Sequence, residues 1–269
     1  MTKEYILTDK DKELLIELYY ANKKFEDIAN TTGFPHRKIR SFYNENNMPL
    51  VKRYSFNSDY FEPIDTKQKA YWLGYLYCDG FVGSGKYNNI VLSSIDKNVI
   101  DDFVQDLEFK GIIPTNIVVA DDKRKSTSFA KSDLYEVRFS NKTMKKTLVK
   151  RNFIPHRKKL KFININDISK KLLIYVLYGM WDADGYVSLT NGIGTKKIIH
   201  LYSSNELLAE YELFYKNLNI PYSIKRNEEK DCNYLRVLFE EIDSSIVEEY
   251  LIISKMYRKI ETCPLIIER

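Results

Sequence analysis

Apolar positions along the 269-residue chain keep helical spacing in some stretches and alternate in others, and the order of those stretches is the first structural information. Leu14, Leu15 and Leu18 follow Thr8 and Asp9 at helical spacing, and the two polar residues can cap the start. A second short helix fits Phe25 to Asn30, with Ile28 and Ala29 facing inward. Thr31-Thr32-Gly33 makes a turn, and a third helix fits His36 to Asn46. From about residue 66 one order of elements occurs twice. A helical run ends in Cys78-Asp79-Gly80, and another ends in Ala183-Asp184-Gly185. Each leads into a β-prone stretch that closes on a serine pair, Val91-Leu92-Ser93-Ser94 and Leu201-Tyr202-Ser203-Ser204. Amphipathic helices over Lys97 to Phe109 and Asn205 to Leu218 come next. Ile113-Pro114 and Ile220-Pro221 introduce second β pairs, about 116–122 with 133–140 and 222–228 with 233–239, and a helix closes each copy. The pattern predicts an α+β molecule with two pseudo-symmetric αββαββα halves, over 60–154 and 165–269, and a small all-α unit over 1–52.

The helical unit has the layout of helix, short turn with glycine, helix. FEDIANTTGFPHRKIRSFYNE resembles a DNA-binding helix-turn-helix, with Ala29 where the first helix packs closely and Gly33 in the turn. On that reading His36, Arg37, Lys38 and Arg40 face DNA; a plain three-helix spacer has the same periodicity.

Composition narrows the classes. Hydrophobic residues make up 44% and charged residues 29%, with 21 Tyr and 14 Phe, so core material is ample and the composition argues against disorder. No apolar run reaches the roughly eighteen residues of a membrane span, and MTKEYILTDK lacks the apolar stretch of a secretory signal. The expectation is an intracellular protein, bacterial or phage-encoded, with no membrane partner. The three cysteines, Cys78, Cys232 and Cys263, form no CxxC pair, which argues against a structural zinc site or disulfide framework. The net charge is +5. Lys142, Lys145, Lys146, Lys150, Arg151, Arg157, Lys158, Lys159 and Lys161 follow one another with no acidic residue between them. Such a run suits a polyanion, although a solvated helix and linker would look the same.

The two Asp-Gly helices carry the chemistry. AYWLGYLYCDG and VLYGMWDADG each hold an interior glycine, Gly74 and Gly179, five residues before the aspartate. Interior glycine costs a helix about 1 kcal/mol relative to Ala, and close approach of two helix backbones would compensate. Gly80 and Gly185 stand where a helix commonly ends in a left-handed residue. Asp79 and Asp184 then occupy last turns, where the helix dipole disfavours a carboxylate by about 0.3–1 kcal/mol. Packed in parallel, they also repel each other, and a divalent cation would remove both penalties. Taken singly, each Asp-Gly would be an ordinary turn.

At these residues the chain resembles the LAGLIDADG homing endonucleases of the monomeric, two-motif kind. WLGYLYCDG (72–80) and LYGMWDADG (177–185) align with the nine-letter motif, and the repeat covers about three-quarters of the chain. The resemblance implies motif helices at the interface between halves. It implies metal held by Asp79 and Asp184 with the main-chain carbonyls of Cys78 and Ala183, and Mg²⁺ or Mn²⁺ as the ion. Tyr77 and Asp182 occupy a motif position that binds no metal in the family. Each half is expected to set a saddle of four strands in the major groove of double-stranded DNA, over a long specific site, in a monomeric protein. The family often adds a basic residue near the scissile phosphates. Lys225 is the candidate here, with Val118 at the equivalent place in the first half. Lys123, Arg138, Lys158, Lys196, Arg226 and Arg236 are the further candidate DNA contacts. The expected activity is metal-dependent, site-specific double-strand cleavage. The alternative is a non-cleaving nucleic-acid binder on the same fold, an RNA maturase or a transcription regulator.

Other signals are weaker. GFVGSGK (80–86) spells most of a phosphate loop but fails at Tyr87 and reads as a β-turn. Asp182-Ala-Asp184-Gly185 lacks the later ligands of a calcium loop. His36, His156 and His200 are isolated, as surface or DNA-facing residues would be, and Trp72 and Trp181 read as core.

Overall fold

The computed structural model describes residues 5–21, 23–48, 54–111, 113–118, 133–153, 161–190, 196–227 and 232–254. They form two compact units, one of residues 1–56 with 109–113 and one of 57–108 with 114–269.

In the smaller unit α1 (Asp9–Tyr20) begins at a reciprocal cap. The Thr8 hydroxyl accepts from the Asp11 N–H, and the Asp11 carboxylate accepts from the Thr8 backbone. Helix α2 (Phe25–Thr32) runs two residues past its expected end and stops at Gly33, whose φ of 72° is the left-handed conformation that favours glycine. Pro35 then precedes α3 (His36–Glu45). Leu15, Ile28, Ile39, Phe42, Tyr43 and Met48 form one buried cluster, and the Tyr43 hydroxyl donates to the Leu15 carbonyl at 2.9 Å. A two-residue ladder, β1 (Tyr54–Ser55) against β4 (Lys110–Gly111), completes this unit.

The larger unit holds the repeat. Its first half contains α4 (Lys67–Asp79), β2 (Gly80–Val82), β3 (Asn89–Ser94), α5 (Lys97–Asp106), β5 (Thr115–Val118), β6 (Leu134–Ser140) and α6 (Lys142–Lys150). The second contains α7 (Lys170–Asp184), β7 (Tyr186–Thr190), β8 (Lys196–Ser204), α8 (Leu208–Leu218), β9 (Ser223–Asn227), β10 (Cys232–Leu238) and α9 (Ser244–Ile253). The sheets are antiparallel, ordered β2-β3-β6-β5 and β7-β8-β10-β9, so the two halves share one topology. Each sheet buries one face: Ile90, Leu92, Val137 and Phe139 in the first, Ile199, Leu201, Leu235 and Val237 in the second. Period-two alternation sends their neighbours to the open face.

The glycines explain the helix pair. A Cβ on Gly74 would lie 2.0 Å from the Val176 carbonyl oxygen, and one on Gly179 would lie 2.0 Å from that of Tyr71. Each glycine therefore meets the carbonyl three residues before the other, a two-fold contact of backbone on backbone. The flanking side chains Tyr71, Trp72, Leu73, Tyr75, Val176, Leu177, Tyr178 and Trp181 are all buried.

Gly80 and Gly185 depart from expectation. Their backbones are extended, at φ −80° and −77°, rather than left-handed. The chain passes from helix directly into strand, and a Cβ there would meet the carbonyl oxygens of Leu76 and Trp181 at 2.4 and 2.3 Å. The residue type was set by clearance, not by handedness. The 80–86 segment is accordingly strand first, with its turn about Gly85 at φ 54°.

Gly74→Ala or Gly179→Ala should cost about 3 kcal/mol or more, because the obstructing atom is backbone rather than a movable side chain. Urea unfolding of the two variants checks this. A loss below about 1 kcal/mol, the ordinary range for a tolerated change, would show that the helices do not touch.

Candidate active site

The two motif aspartates end the two touching helices: Asp79 is the last residue of α4 and is exposed, and Asp184 is the last of α7 and is half-buried. Tyr211 of α8 locates those ends. Burial raises its hydroxyl pKa well above the ordinary value, and Cys78, Tyr77 and Asp184 raise it further. The C-terminal ends of both helices thus lie near one side chain, which with the Gly74–Gly179 backbone contact sets α4 and α7 side by side in parallel. Tyr75, pushed up by burial and then by Asp79 and Asp182, senses the same acidic end.

Two carboxylates and the carbonyls of Cys78 and Ala183 in adjacent last turns are hard oxygen donors, a set that fits Mg²⁺ or Mn²⁺. Among the described residues no group of three or more His, Cys, Asp or Glu side chains could hold a metal. Main-chain and water oxygens would have to complete any shell there.

Asp182, two residues before Asp184, is fully buried and accepts from three hydroxyls: Tyr71 at 2.6 Å, Tyr250 at 2.7 Å and Ser254 at 2.8 Å. It joins α4, α7 and α9 through one carboxyl group. Its counterpart Tyr77 donates to the Lys161 carbonyl at 2.9 Å and packs on Phe153 and Phe162, which holds the connection between the halves. An acid inside an otherwise apolar helix was the signal available in the sequence, and its motif position gave no hint of the clamp.

Strand register sorts the basic residues. Lys225 pairs with Tyr234, which pairs with Tyr202, and Arg236 pairs with His200. These side chains share the open face of the second sheet. Arg226 pairs with Asn233 and belongs to the opposite face, contrary to its expected place on DNA. Arg138 lies on the open face of the first sheet, opposite Val91. The register also corrects the counterpart of Lys225. Asn116 pairs with Glu136 as Lys225 pairs with Tyr234, so Asn116, not Val118, is equivalent. Equal spacing from Ile-Pro misled the comparison because the second half enters its strand two residues later.

Lys196 lies in β8, and Lys123, Lys158 and His156 lie outside the described residues. In the basic run, Arg151 is buried and makes paired hydrogen bonds to Asp167 at 2.7 and 2.9 Å, so it tethers the inter-half connection instead of facing a polyanion. Lys145 donates to the carbonyls of Gly85 and Tyr87. In the helical unit His36, Arg37 and Arg40 are exposed and Lys38 is half-buried, with the Arg40 guanidinium 6.0 Å from the Phe25 ring centre.

His200 is not a surface residue: it is 6% exposed. Its ring stacks on Tyr186 at 4.3 Å between centroids, and its Nε2 lies 2.7 Å from the Ser188 hydroxyl. Burial, then Arg236 and Lys225, lowers its pKa to about 4. The unfolded chain takes up that proton near pH 6.5. Acidification between those values therefore protonates only the unfolded form, and stability is lost as pH falls through the window. His200→Gln cannot titrate, so its stability deficit relative to wild type should shrink from pH 7 to pH 5 in urea titrations. An equal deficit at both values would contradict a ring held neutral.

Residues 171–260 match the family model described as the LAGLIDADG-like domain. No curated protein matches the sequence. Among solved structures, the meganuclease I-SmaMI bound to uncleaveable DNA is 12% identical, with 76% of this chain and 92% of that chain covered and a TM-score of 0.49. The I-LtrWI LAGLIDADG homing endonuclease bound to target DNA is 12% identical, covering 78% and 90%, at 0.49. I-DmoI in complex with DNA and Mn is 14% identical, covering 70% and 94%, at 0.40. The chain carries a LAGLIDADG-like domain over residues 171–260, on an α+β fold whose first half repeats the same topology.

Proposed function

We propose that the chain is a site-specific DNA endonuclease that hydrolyses both strands of a long target with a divalent metal, acting as a monomer. The observation that carries this reading is the backbone contact of α4 and α7, which brings the ends bearing Asp79 and Asp184 to one side chain, Tyr211. Two acids at neighbouring helix C-termini are costly without a cation, so a chain with no metal chemistry gains nothing from keeping both. Asp79, Asp184 and the carbonyls of Cys78 and Ala183 would hold the ions. A bound divalent ion supplies an activated water and stabilises the charge of the departing oxygen.

The remaining roles belong to the protein's own groups. The open sheet faces, with Arg138 on one and Lys225 and Arg236 on the other, would lie in the major groove, where all four base pairs differ. Lys225 is the candidate neighbour of a scissile phosphate. Asn116 at the equivalent register of the first half is uncharged, which would make the two strands unequal in their rates of nicking. The unit over residues 1–52, with Arg37, Lys38 and Arg40 on α3, would add phosphate contacts of its own. Lys196 in β8, together with Lys123 and Lys158 outside the described residues, would add further backbone contacts to the DNA.

Purified protein should linearise a plasmid bearing its target with Mg²⁺ and not with EDTA. Asp79→Asn and Asp184→Asn should each lower double-strand cleavage at least a thousandfold while DNA affinity changes little. Linearisation by both variants would remove the aspartates from the chemistry, and specific binding without cleavage by wild type would favour a maturase or regulator. Deleting residues 1–52 should weaken binding and flatten its dependence on salt, since lost phosphate contacts release fewer counterions. An unchanged slope in a salt titration would make the segment a spacer.

A further inference from the structure

The two halves place an arginine at the same point relative to their motif aspartates. Phe81, the second residue after Asp79, pairs with Val91, and Val91 pairs with Arg138. Tyr186, the second residue after Asp184, pairs with His200, and His200 pairs with Arg236. Each lane runs aromatic, middle residue, arginine across three adjacent strands. Neighbouring strands are about 4.8 Å apart, so each arginine stands about 10 Å across the sheet from the residue that follows its motif glycine. Both side chains lie on the open face, since the residues flanking each, Val137 and Phe139, Leu235 and Val237, are buried.

Their surroundings differ. Arg138 is oriented by Glu136, two residues earlier on its own strand. Its Nε donates at 3.0 Å and one terminal nitrogen at 3.3 Å, and the Ser93 hydroxyl donates to the same carboxylate at 3.4 Å. Tyr234 stands at the position of Glu136 in the second half, so that lane has no carboxylate on its neighbour. The Arg236 Nε is buried with no hydrogen-bond partner among the described residues. Beside it on the neighbouring strand is the His200 ring, which burial keeps neutral, so an incoming acceptor meets one positive charge and not two.

We infer that Arg138 and Arg236 each read a guanine through its O6 and N7 edge. The inference rests on the endonuclease reading above. Because the lanes are related by the pseudo-two-fold of the α4–α7 contact, the two guanines lie at equal distances from the target centre and on opposite strands. An otherwise asymmetric target thus contains one matched G·C pair in each half-site. Arginine reads guanine with two donors, a contact that discriminates against other bases by roughly tenfold to a hundredfold. Arg138, already aligned by Glu136, discriminates more sharply than Arg236.

The test is selection of bound sequences from a randomised DNA library by the full-length protein, its Arg138→Ala and Arg236→Ala variants, and the corresponding Lys variants, with Ca²⁺ in place of Mg²⁺. Each Ala variant should flatten one guanine preference and leave the others, and the two flattened positions should be equidistant from the centre. The Lys variants should restore part of the preference. Thermal melting of all four variants near the wild-type temperature shows that the fold is kept. Preferences lost at unequal distances, a uniform loss at every position as a phosphate contact would give, or no change at all would each overturn the inference while leaving the endonuclease reading intact. A wild-type protein that selects no sequence would overturn both.

Discussion

Two helix backbones touch at Gly74 and Gly179, and most of the molecule follows from that contact. A methyl group at either position would sit 2.0 Å from the opposite carbonyl oxygen, so only glycine allows the approach. Once the helices touch in parallel, their last turns are neighbours, and whatever those turns carry is concentrated at one place. They carry Asp79 and Asp184, and each helix then enters its sheet with no intervening loop, through Gly80 and Gly185. The sheets are consequently fixed relative to the paired acids through the first strand of each half. The contact that positions the chemistry also positions the surface that would select its substrate.

Around that axis the halves are alike in topology and unlike in detail. Asp182 ties three helices together through three hydroxyls, whereas Tyr77 at the equivalent position secures the chain between the halves. Arg151 and Asp167 hold the same connection from the other end. The Asp182 carboxylate is fully buried, and its three hydroxyl donors offset the cost of burying it. The asymmetry extends to the sheets, where an Arg–Glu pair on one open face corresponds to an arginine beside a neutral histidine on the other. A molecule with two unlike faces suits a substrate with two unlike halves.

The repeat, the αββαββα order and the helix pair were legible because each depends on local periodicity or on a short motif in which a costly residue, an interior glycine or a helix-ending acid, needed an explanation. The helix-ending glycines were assigned to the right positions for the wrong reason, since handedness and clearance both select glycine and spacing does not separate them. Facing within the sheets was less legible. Arg226 and Lys225 are adjacent in sequence and lie on opposite faces, and the halves enter β5 and β9 at different offsets from their Ile-Pro pairs, so Val118 was matched where Asn116 belongs. His200 read as isolated because its stacking partner Tyr186 and its neighbour Arg236 are close only after the strands pair. Which elements pair could be read from sequence; the register within a strand pair, and so the face each side chain takes, could not.

The central claim is that the two motif aspartates, one from each half, share a bound divalent cation. It is tested most directly by anomalous diffraction from crystals of the protein grown with Mn²⁺. The account predicts manganese density contacted by carboxylate oxygens of both Asp79 and Asp184. Manganese bound elsewhere, or the two carboxyl groups pointing away from each other in the metal-loaded crystal, would contradict it.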